Sequence, residues 1–209
     1  VVGLVGANNL STAIIILGIA GGLVFVASPK YGQFIFLGAA GAGFMGIFLA
    51  LESYRLERLA IWRNPEKYEK GYQTLQGLYA IGSGGVFGVG LGNSVQKLGF
   101  VPEAQNDMIF SIICEELGLA GSAMIVLLFL MLIWRFFLIA SECRDLFGAL
   151  IATGAMAHMM IQVILNIAVV TNTIPNTGIT LPFISYGGTS VMFLLIEMGL
   201  VLSVSQVVD

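Results

Sequence analysis

Five apolar runs, each about as long as a bilayer is thick, constrain this chain more than any other feature of its sequence. A helix that crosses a bilayer needs roughly 17–25 mostly apolar residues. Runs of about this length occupy residues 10–27, 33–51, 108–137, 146–170 and 187–204. Only 10% of the residues are charged, against about 25% in a typical soluble domain, so too little polar chain remains to cover five buried helices. The sequence therefore predicts an all-α integral membrane protein with about five transmembrane helices.

A long polar segment between the second and third runs divides the chain into three parts. We predict two transmembrane helices in residues 1–51, one large loop in residues 52–108, and three transmembrane helices in residues 109–209. Within the last part, residues 171–186 contain proline and glycine and are predicted to form a re-entrant segment. Irregular backbone at membrane depth is tolerated only where it is buried in protein or lines a cavity.

Charge predicts which side of the membrane the long loop occupies. The short turns that carry Lys30 and Arg144 face one side, and the 171–186 segment on the other side has no Lys or Arg. Short cytoplasmic loops carry an excess of positive residues, whereas long loops cross the membrane largely regardless of their charge. The turns of Lys30 and Arg144 are therefore predicted to be cytoplasmic, and the 52–108 loop extracytoplasmic.

Composition argues against several classes of function. The formal net charge of -3 offers no basic surface for nucleic acid. His158 is the only histidine, and Cys114 and Cys143 lack the paired spacing of a zinc or redox site. Both cysteines are predicted to be free thiols, and the sequence contains no readable metal-ligand motif.

The first part of the long loop carries two arginines at helical spacing. Arg55 and Arg58 are three residues apart and would share one face of a helix, where two guanidinium groups could bind a diphosphate. The alternative is an interfacial anchor, with Trp62 and the arginines at the level of the lipid headgroups. Spacing alone favours the anchor.

A glycine run follows in residues 82–92, where six of eleven residues are glycine. Such a run could let backbone N–H groups approach a phosphate. No P-loop motif or βαβ pattern surrounds it, so nucleotide binding is not expected. The alternative is a tight turn beside the membrane surface, and composition alone favours that turn.

Asp107 stands where the polar loop gives way to the third apolar run. A carboxylate at that boundary is partly desolvated, which raises its pKa and makes it a better general base. Lys97 is close in sequence and could neutralise phosphate charge. The alternative role of Asp107 is to cap the following helix, because aspartate is favoured at a helix N-cap.

Polar side chains interrupt the apolar runs at Glu115, Glu116, His158, Gln162, Asn166 and Glu197. Carboxylates inside a membrane are costly and are usually functional. The paired glutamates could reach the aqueous interface or pair with an Arg or Lys of the long loop, whereas Glu197 has no obvious partner. The other three side chains share one helix face, and such a polar stripe points into the protein. For His158, packing is a more common role than proton transfer.

Several strings of residues resemble the SEDS family, named for shape, elongation, division and sporulation. They are Asn9-Leu-Ser-Thr-Ala13, Gly71-Tyr-Gln73, Ala80-Ile-Gly-Ser-Gly-Gly, Phe87-Gly-Val-Gly-Leu-Gly-Asn-Ser-Val-Gln-Lys-Leu98, Pro102-Glu-Ala, Glu115-Glu-Leu-Gly118 and Thr180-Leu-Pro-Phe-Ile-Ser-Tyr-Gly-Gly-Thr-Ser190. The resemblance covers nearly the whole chain and is nearer the division and sporulation members than the elongation members. It implies a ten-helix fold, of which this chain would supply the last five helices.

The resemblance also implies an activity and a set of site residues. Members of the family polymerise peptidoglycan strands from lipid II in the bacterial cytoplasmic membrane, with a class B penicillin-binding protein as partner. The family's catalytic aspartate falls on Asp107, and a divalent cation could share the neutralisation of the diphosphate. The candidate residues for binding the diphosphate or the sugars are Lys97, Arg55, Arg58, Glu103, Glu116, Gln162, Asn166, Ser185 and Tyr186.

One departure from the family pattern and two other functions stay open. Gln105-Asn106 replaces the usual His-Thr before the aspartate, and Met108 replaces the phenylalanine after it, so the hydrogen bonds around Asp107 could differ. One alternative is a flippase for lipid II, in which the intramembrane acids and the polar stripe line a passage. The other is a noncatalytic scaffold that positions a penicillin-binding protein.

Overall fold

The computed structural model describes residues 9–28 and 53–208, together with scattered positions between residues 2 and 46. The predicted second membrane helix, 33–51, and the turn of Lys30 lie outside the continuously described residues. Over the described part the chain is helical, which confirms the predicted fold class. Its longer helices are α1 (Leu10–Ala27), α2 (Ser53–Arg63), α3 (Tyr72–Ser83), α4 (Ile109–Glu142), α5 (Leu146–Val170) and α6 (Gly188–Val208). Short 3-10 turns cover Pro65–Lys67, Glu69–Gly71 and Gln96–Leu98.

Three of these helices are long and apolar enough to cross a membrane. They are α4 with 34 residues, α5 with 25 residues, and α6 counted over the 19 residues Gly188–Gln206. Helix α1 is equally apolar but shorter, and it begins at Asn9, whose side-chain oxygen accepts a hydrogen bond from the Thr12 backbone N–H at 3.2 Å. A capping asparagine satisfies one of the amide groups that a helix start leaves unpaired.

The chain divides into two compact units, which we describe separately. The first comprises Val1–Ser53, Met131–Ile161 and Val191–Asp209. In this unit α1 packs closely on α5, because a Cβ atom at Gly18 would lie 2.4 Å from Ile161 Cδ1 and one at Gly22 would lie 3.4 Å from Ala157 Cβ. Small residues allow such close approach of membrane helices.

The first unit also gives Glu197 a partner that the sequence did not indicate. His158 Nδ1 on α5 lies 2.9 Å from Glu197 Oε1 on α6, and both side chains are half-buried. The sequence offered no obvious partner for Glu197, and the structure pairs it with His158. Sequence spacing could not reveal this pair, because the two residues lie on different helices.

The second unit comprises Tyr54–Leu130 and Gln162–Ser190, and within it α4 is broken at Gly118. Gly118 has φ 68° and ψ -168°, which interrupts the helical hydrogen bonds on both sides. The glycine run docks into this break and replaces those bonds. The replacement bonds run from Val89 N to Glu115 O (3.0 Å), Gly90 N to Glu116 O (3.0 Å), Leu119 N to Gly85 O (2.9 Å) and Ala120 N to Val86 O (3.0 Å).

Close contact between backbones explains the glycines of this run. A Cβ atom at Gly84 would lie 1.9 Å from Cys114 O, and one at Gly88 would lie 2.1 Å from Glu116 O. Any side chain at these positions would push the loop away from α4. The structure thus shows turns in the glycine run and packs them against α4, a packing role that neither the phosphate interpretation nor the tight-turn interpretation included.

Candidate active site

Asp107 lies two residues before α4 and is buried, with 8% of its surface exposed. Burial raises the pKa of its carboxyl above the ordinary value, and the nearby Glu103 carboxyl raises it further. A hydrogen bond from its own backbone and one from Gln73 act in the opposite direction. Burial dominates, as the boundary position predicted, so the pKa of Asp107 is raised.

Two amide side chains from different helices hold Asp107 in place. Gln73 Nε2 on α3 donates to both carboxylate oxygens, at 3.3 and 3.4 Å. Asn166 Nδ2 on α5 donates to the backbone carbonyl of Asp107 at 2.8 Å and to that of Ile179 at 2.7 Å. Asn166 is completely buried, so its contacts are structural ones that join the start of α4 to the 171–186 segment.

Helix α3 reaches Asp107 because its inner face is made of small residues. A Cβ atom at Gly77 would lie 2.3 Å from Met108 Cε, and Ala80 is fully buried. Gln73 precedes Gly77 by one helical turn and therefore stands on the same face. The small residues let α3 lie against the start of α4, which brings the Gln73 amide to the carboxylate.

The 171–186 segment fixes the backbone just before Asp107. Tyr186 N donates to Gln105 O at 2.8 Å, and Ser185 Oγ donates to Asn106 O at 2.7 Å. The same Ser185 oxygen accepts from Leu181 N at 2.7 Å. Since these bonds use the main chain of residues 105 and 106, they do not require the family's usual side chains there.

Asp107 borders a cavity of about 290 Å³ that also contains cationic side chains. Its lining residues are Glu57, Arg58, Ile61, Trp62, Lys70, Thr74, Asp107, Asn172, Asn176, Thr177 and Gly178. Lys70 Nζ lies 2.9 Å from Glu57 Oε1. Arg58 Nη1 donates to Asn176 O at 3.4 Å, so this guanidinium is oriented from across the cavity.

Trp62 anchors α2 to the far wall of the cavity. Its indole Nε1 donates to Asn172 O at 2.9 Å, across 110 residues of sequence. Asn172 has φ 55°, a left-handed conformation that asparagine tolerates better than most residues. Trp62 therefore ties the cavity together, in addition to any role at the lipid headgroups.

Lys97 and the paired glutamates form a separate cluster beside the glycine run. Lys97 Nζ lies 2.6 Å from Glu116 Oε1, which confirms that one glutamate pairs with a lysine of the loop. Glu115 accepts hydrogen bonds from Ser94 Oγ and, at 3.1 Å, from Val95 N. These contacts hold the loop against α4, and neither Lys97 nor Glu116 lines the Asp107 cavity.

The predicted site residues thus fall into distinct groups. Arg58 borders the cavity with Asp107, whereas the side chain of Arg55 lies outside the described residues. Glu103 is exposed and accepts a hydrogen bond from Asn106, and Gln162 does not line the cavity. Residues that the sequence analysis missed include Lys70, Gln73, Thr74, Asn172, Asn176 and Thr177.

The described residues contain no group of three or more His, Cys, Asp or Glu side chains placed to hold a metal ion. Among the residues that the structure describes, Glu57 and Asp107 are the carboxylates that border the cavity, and Glu57 already pairs with Lys70. Neither carboxylate is part of a group of described side chains arranged to coordinate a metal ion.

The fold and the site define a helical membrane protein with a desolvated carboxylate in a polar cavity outside its candidate spans. Residues 1–209 match the FtsW/RodA/SpoVE family model, described as cell cycle protein. The chain belongs to this family, which confirms the resemblance drawn from its motifs.

Curated relatives agree with the family assignment. The chain is 45% identical over 201 residues to stage V sporulation protein E of Bacillus subtilis, covering 95% of this chain and 55% of that protein. It is 42% identical over 188 residues to the probable peptidoglycan glycosyltransferase FtsW of Coxiella burnetii, covering 88% of this chain and 50% of that protein. The chain therefore spans about half the length of these relatives.

Two solved structures share the fold. One, from a study of how a peptidoglycan synthase complex coordinates polymerization and crosslinking, has a TM-score of 0.80 and 29% identity, covering 98% of this chain and 58% of that chain. The other is an aspartate-to-alanine mutant of the rod shape determining protein RodA of Thermus thermophilus. Its TM-score is 0.66 at 26% identity, covering 98% of this chain and 53% of that chain.

Proposed function

We propose that this chain carries the catalytic aspartate of a peptidoglycan glycosyltransferase that polymerises lipid II, in cell division or sporulation. The observation that carries the proposal is the placement of Asp107. Its carboxylate is buried, has a raised pKa, and borders a cavity that also holds Arg58 and Lys70. The names of the FtsW relatives support the reaction class.

The proposed chemistry is a single inverting transfer with Asp107 as general base. The Asp107 carboxylate takes the proton of an acceptor sugar hydroxyl while that oxygen attacks the anomeric carbon of a second lipid-linked sugar. The bond from this carbon to the diphosphate breaks, and the diphosphate keeps the bonding electrons. A new glycosidic bond and a free polyprenyl diphosphate are the products.

The leaving diphosphate requires positive charge at the place where its own charge develops. Arg58 and Lys70 border the same cavity as Asp107 and are the described cations best placed to supply it. Arg58 is oriented by the Asn176 carbonyl, which favours a planar two-point contact with phosphate oxygens. We assign Lys97 to the loop cluster with Glu116 instead, and no step uses a divalent cation.

We further propose the setting of the reaction. The chain lies in a bacterial cytoplasmic membrane with the cavity on the extracytoplasmic face, and it works with a class B penicillin-binding protein. The likeness to a peptidoglycan synthase complex supports such a partner. Charge in the turn that carries Arg144 supports the orientation.

Substitution of Asp107 by asparagine in the intact protein tests the proposal. Asp107→Asn keeps an acceptor for Gln73 but removes the base, so the rate of glycan-strand formation from lipid II in detergent should fall by about 100-fold or more. The control is Glu66→Gln, which neutralises an exposed acid of the same loop away from the cavity. Strand formation at the normal rate by Asp107→Asn would refute the assignment.

The same assay separates the other two functions. A flippase makes no product in detergent, where there are no two leaflets, so the unmodified protein would form no strands. A scaffold would also form none, and its cavity variants would change only the binding of a penicillin-binding protein. Strand formation that depends on Asp107 excludes both.

A further inference from the structure

The long loop contains a stretch without any charged side chain. No Asp, Glu, Lys or Arg occurs in residues 71–96, between Lys70 and Lys97. At the usual charged fraction of a soluble domain, a stretch of this length would hold about six charges. The stretch includes all of α3 and the glycine run. The loop is therefore polar at its two ends and uncharged in its middle.

Several apolar side chains in this uncharged stretch are exposed. Phe87 is 84% exposed and Leu91 is 76% exposed, and Val86, Val89, Val95 and Tyr79 are exposed as well. Single exposed apolar residues are ordinary, but a run of them marks a surface that meets another apolar phase. We name residues 86–95 the apolar loop surface.

The backbone of the apolar loop surface begins against the membrane-spanning part of α4. Its residues 86, 89 and 90 share hydrogen bonds with residues 115, 116 and 120 across the break at Gly118. Residues 117–134 of α4 are free of charge and long enough to cross the hydrocarbon core. The loop is thus fixed at the level where this uncharged segment begins.

For residues 86, 89 and 90, those hydrogen bonds also satisfy the condition for irregular backbone near lipid. Non-helical backbone can lie at membrane depth only where its N–H and C=O groups find partners in protein. Leu119, at the junction of loop and helix, is 67% exposed, and Met124 further along α4 is 65% exposed. The apolar loop surface therefore continues along the chain into exposed apolar residues of a candidate span.

We propose that the apolar loop surface is a lipid-binding surface, seated in the bilayer interface with Phe87 and Leu91 among the upper acyl chains. A lipid bilayer fits this surface better than a protein partner does. Protein interfaces surround their apolar centre with polar and charged residues, whereas this surface has no charge along its length. At its edge Lys97 is paired with Glu116. The proposal does not depend on which reaction the Asp107 site performs.

Fluorescence quenching in nanodiscs tests this placement. The intact protein, with Cys114 and Cys143 replaced by serine, receives one cysteine by Phe87→Cys or Leu91→Cys and is labelled with the environment-sensitive dye NBD. The nanodiscs contain phosphatidylethanolamine, phosphatidylglycerol and a lipid with a nitroxide near the headgroup end of its acyl chain. We expect the labels at 87 and 91 to lose most of their fluorescence to the nitroxide lipid and little to aqueous iodide.

Tyr68→Cys supplies the matched control, because Tyr68 is also exposed but lies among charged residues of the same loop. Its label should be quenched by iodide and not by the nitroxide lipid. Iodide quenching at 87 and 91 equal to that at 68 would overturn the proposal. Protection from both quenchers would also overturn it, since a protein would then cover the surface. Two labelled positions guard against one substitution that fails to fold.

Discussion

Burial and the hydrogen bonds from Gln73 have opposite effects on the pKa of Asp107. Burial raises the pKa of the carboxyl, and the two contacts from the Gln73 amide lower it, because they stabilise the charged form. A general base works only when it is deprotonated. Activity should therefore fall as the pH drops through the raised pKa, at a higher pH than an ordinary aspartate would give.

Gln73→Met should shift the acidic limb of the pH–activity profile to still higher pH. Methionine removes the amide that stabilises the carboxylate, so the pKa of Asp107 rises and more of the enzyme is protonated at a given pH. The pH profile of kcat/KM measures the shift, and Gln76→Met on the same helix is the control. A lower rate with an unmoved limb would show that Gln73 does not set the pKa of Asp107.

At the residue scale, the sequence predicted that Asp107 is desolvated, but it did not indicate several of the residues that surround it in the structure. Asp107 and its raised pKa could be predicted because the edge of an apolar run implies desolvation. Gln73 stands in a string that resembles the family, but nothing in the sequence assigned it a role. Lys70 and Asn176 carry no local signal, since the cavity joins segments that are far apart in sequence. Nearness in sequence suggested Lys97 as a neighbour of the Asp107 site, whereas in the structure the Lys97 ammonium pairs with Glu116.

Among the helices, α4 differs most from what its apolar pattern predicts. The run predicts a membrane helix that Glu115 and Glu116 interrupt early, but the backbone itself breaks at Gly118, where residues 85–90 supply the missing hydrogen bonds. Hydrophobic periodicity cannot show a backbone that is completed by a loop some 30 residues earlier. The run still predicts that α4 is apolar and long, as are α5 and α6, because length and composition are local properties.

Gly88→Ala should destabilise the pairing between the glycine run and α4. Gly88 has φ 78°, and an added Cβ atom would lie 2.1 Å from Glu116 O. Left-handed strain and lost loop contacts together should cost on the order of 3 kcal/mol, measured by thermal or denaturant unfolding in detergent.

Gly92→Ala is the matched control for this contact. Gly92 has a similar φ of 82°, but an added Cβ atom there would meet nothing within 4 Å. The Gly92→Ala variant should therefore lose roughly 1 kcal/mol of unfolding free energy, from the left-handed backbone strain alone. Equal losses in the two variants would mean that the close contact of Gly88 with α4 contributes nothing.

At the scale of the whole molecule, the membrane orientation can be tested at the two ends of α5. Helix α5 has 25 residues and is long enough to cross the bilayer, so Cys143 before it and Thr173 after it should lie on opposite sides. Charge predicted the side of each end, but the described residues contain no marker of the membrane itself. The orientation therefore stays a prediction that only labelling can test.

Impermeant maleimide should label the native Cys143 only after the cytoplasmic membrane is permeabilised. Cys143 is partly exposed at the turn after α4, and Cys114 is buried, so the two thiols of this chain give one accessible site. A Thr173→Cys variant that also lacks Cys143 should instead be labelled in intact spheroplasts. Labelling of both positions from the same side would rule out a transmembrane α5.

The break at Gly118 makes the insertion of α4 depend on a segment that is translated earlier. Residues 85–90 leave the ribosome before the helix whose amide and carbonyl groups they complete. In its broken conformation, α4 without them would bring unpaired backbone groups to the hydrocarbon, at several kcal/mol each. We therefore expect α4 to reach this conformation in the bilayer only together with the folded glycine run.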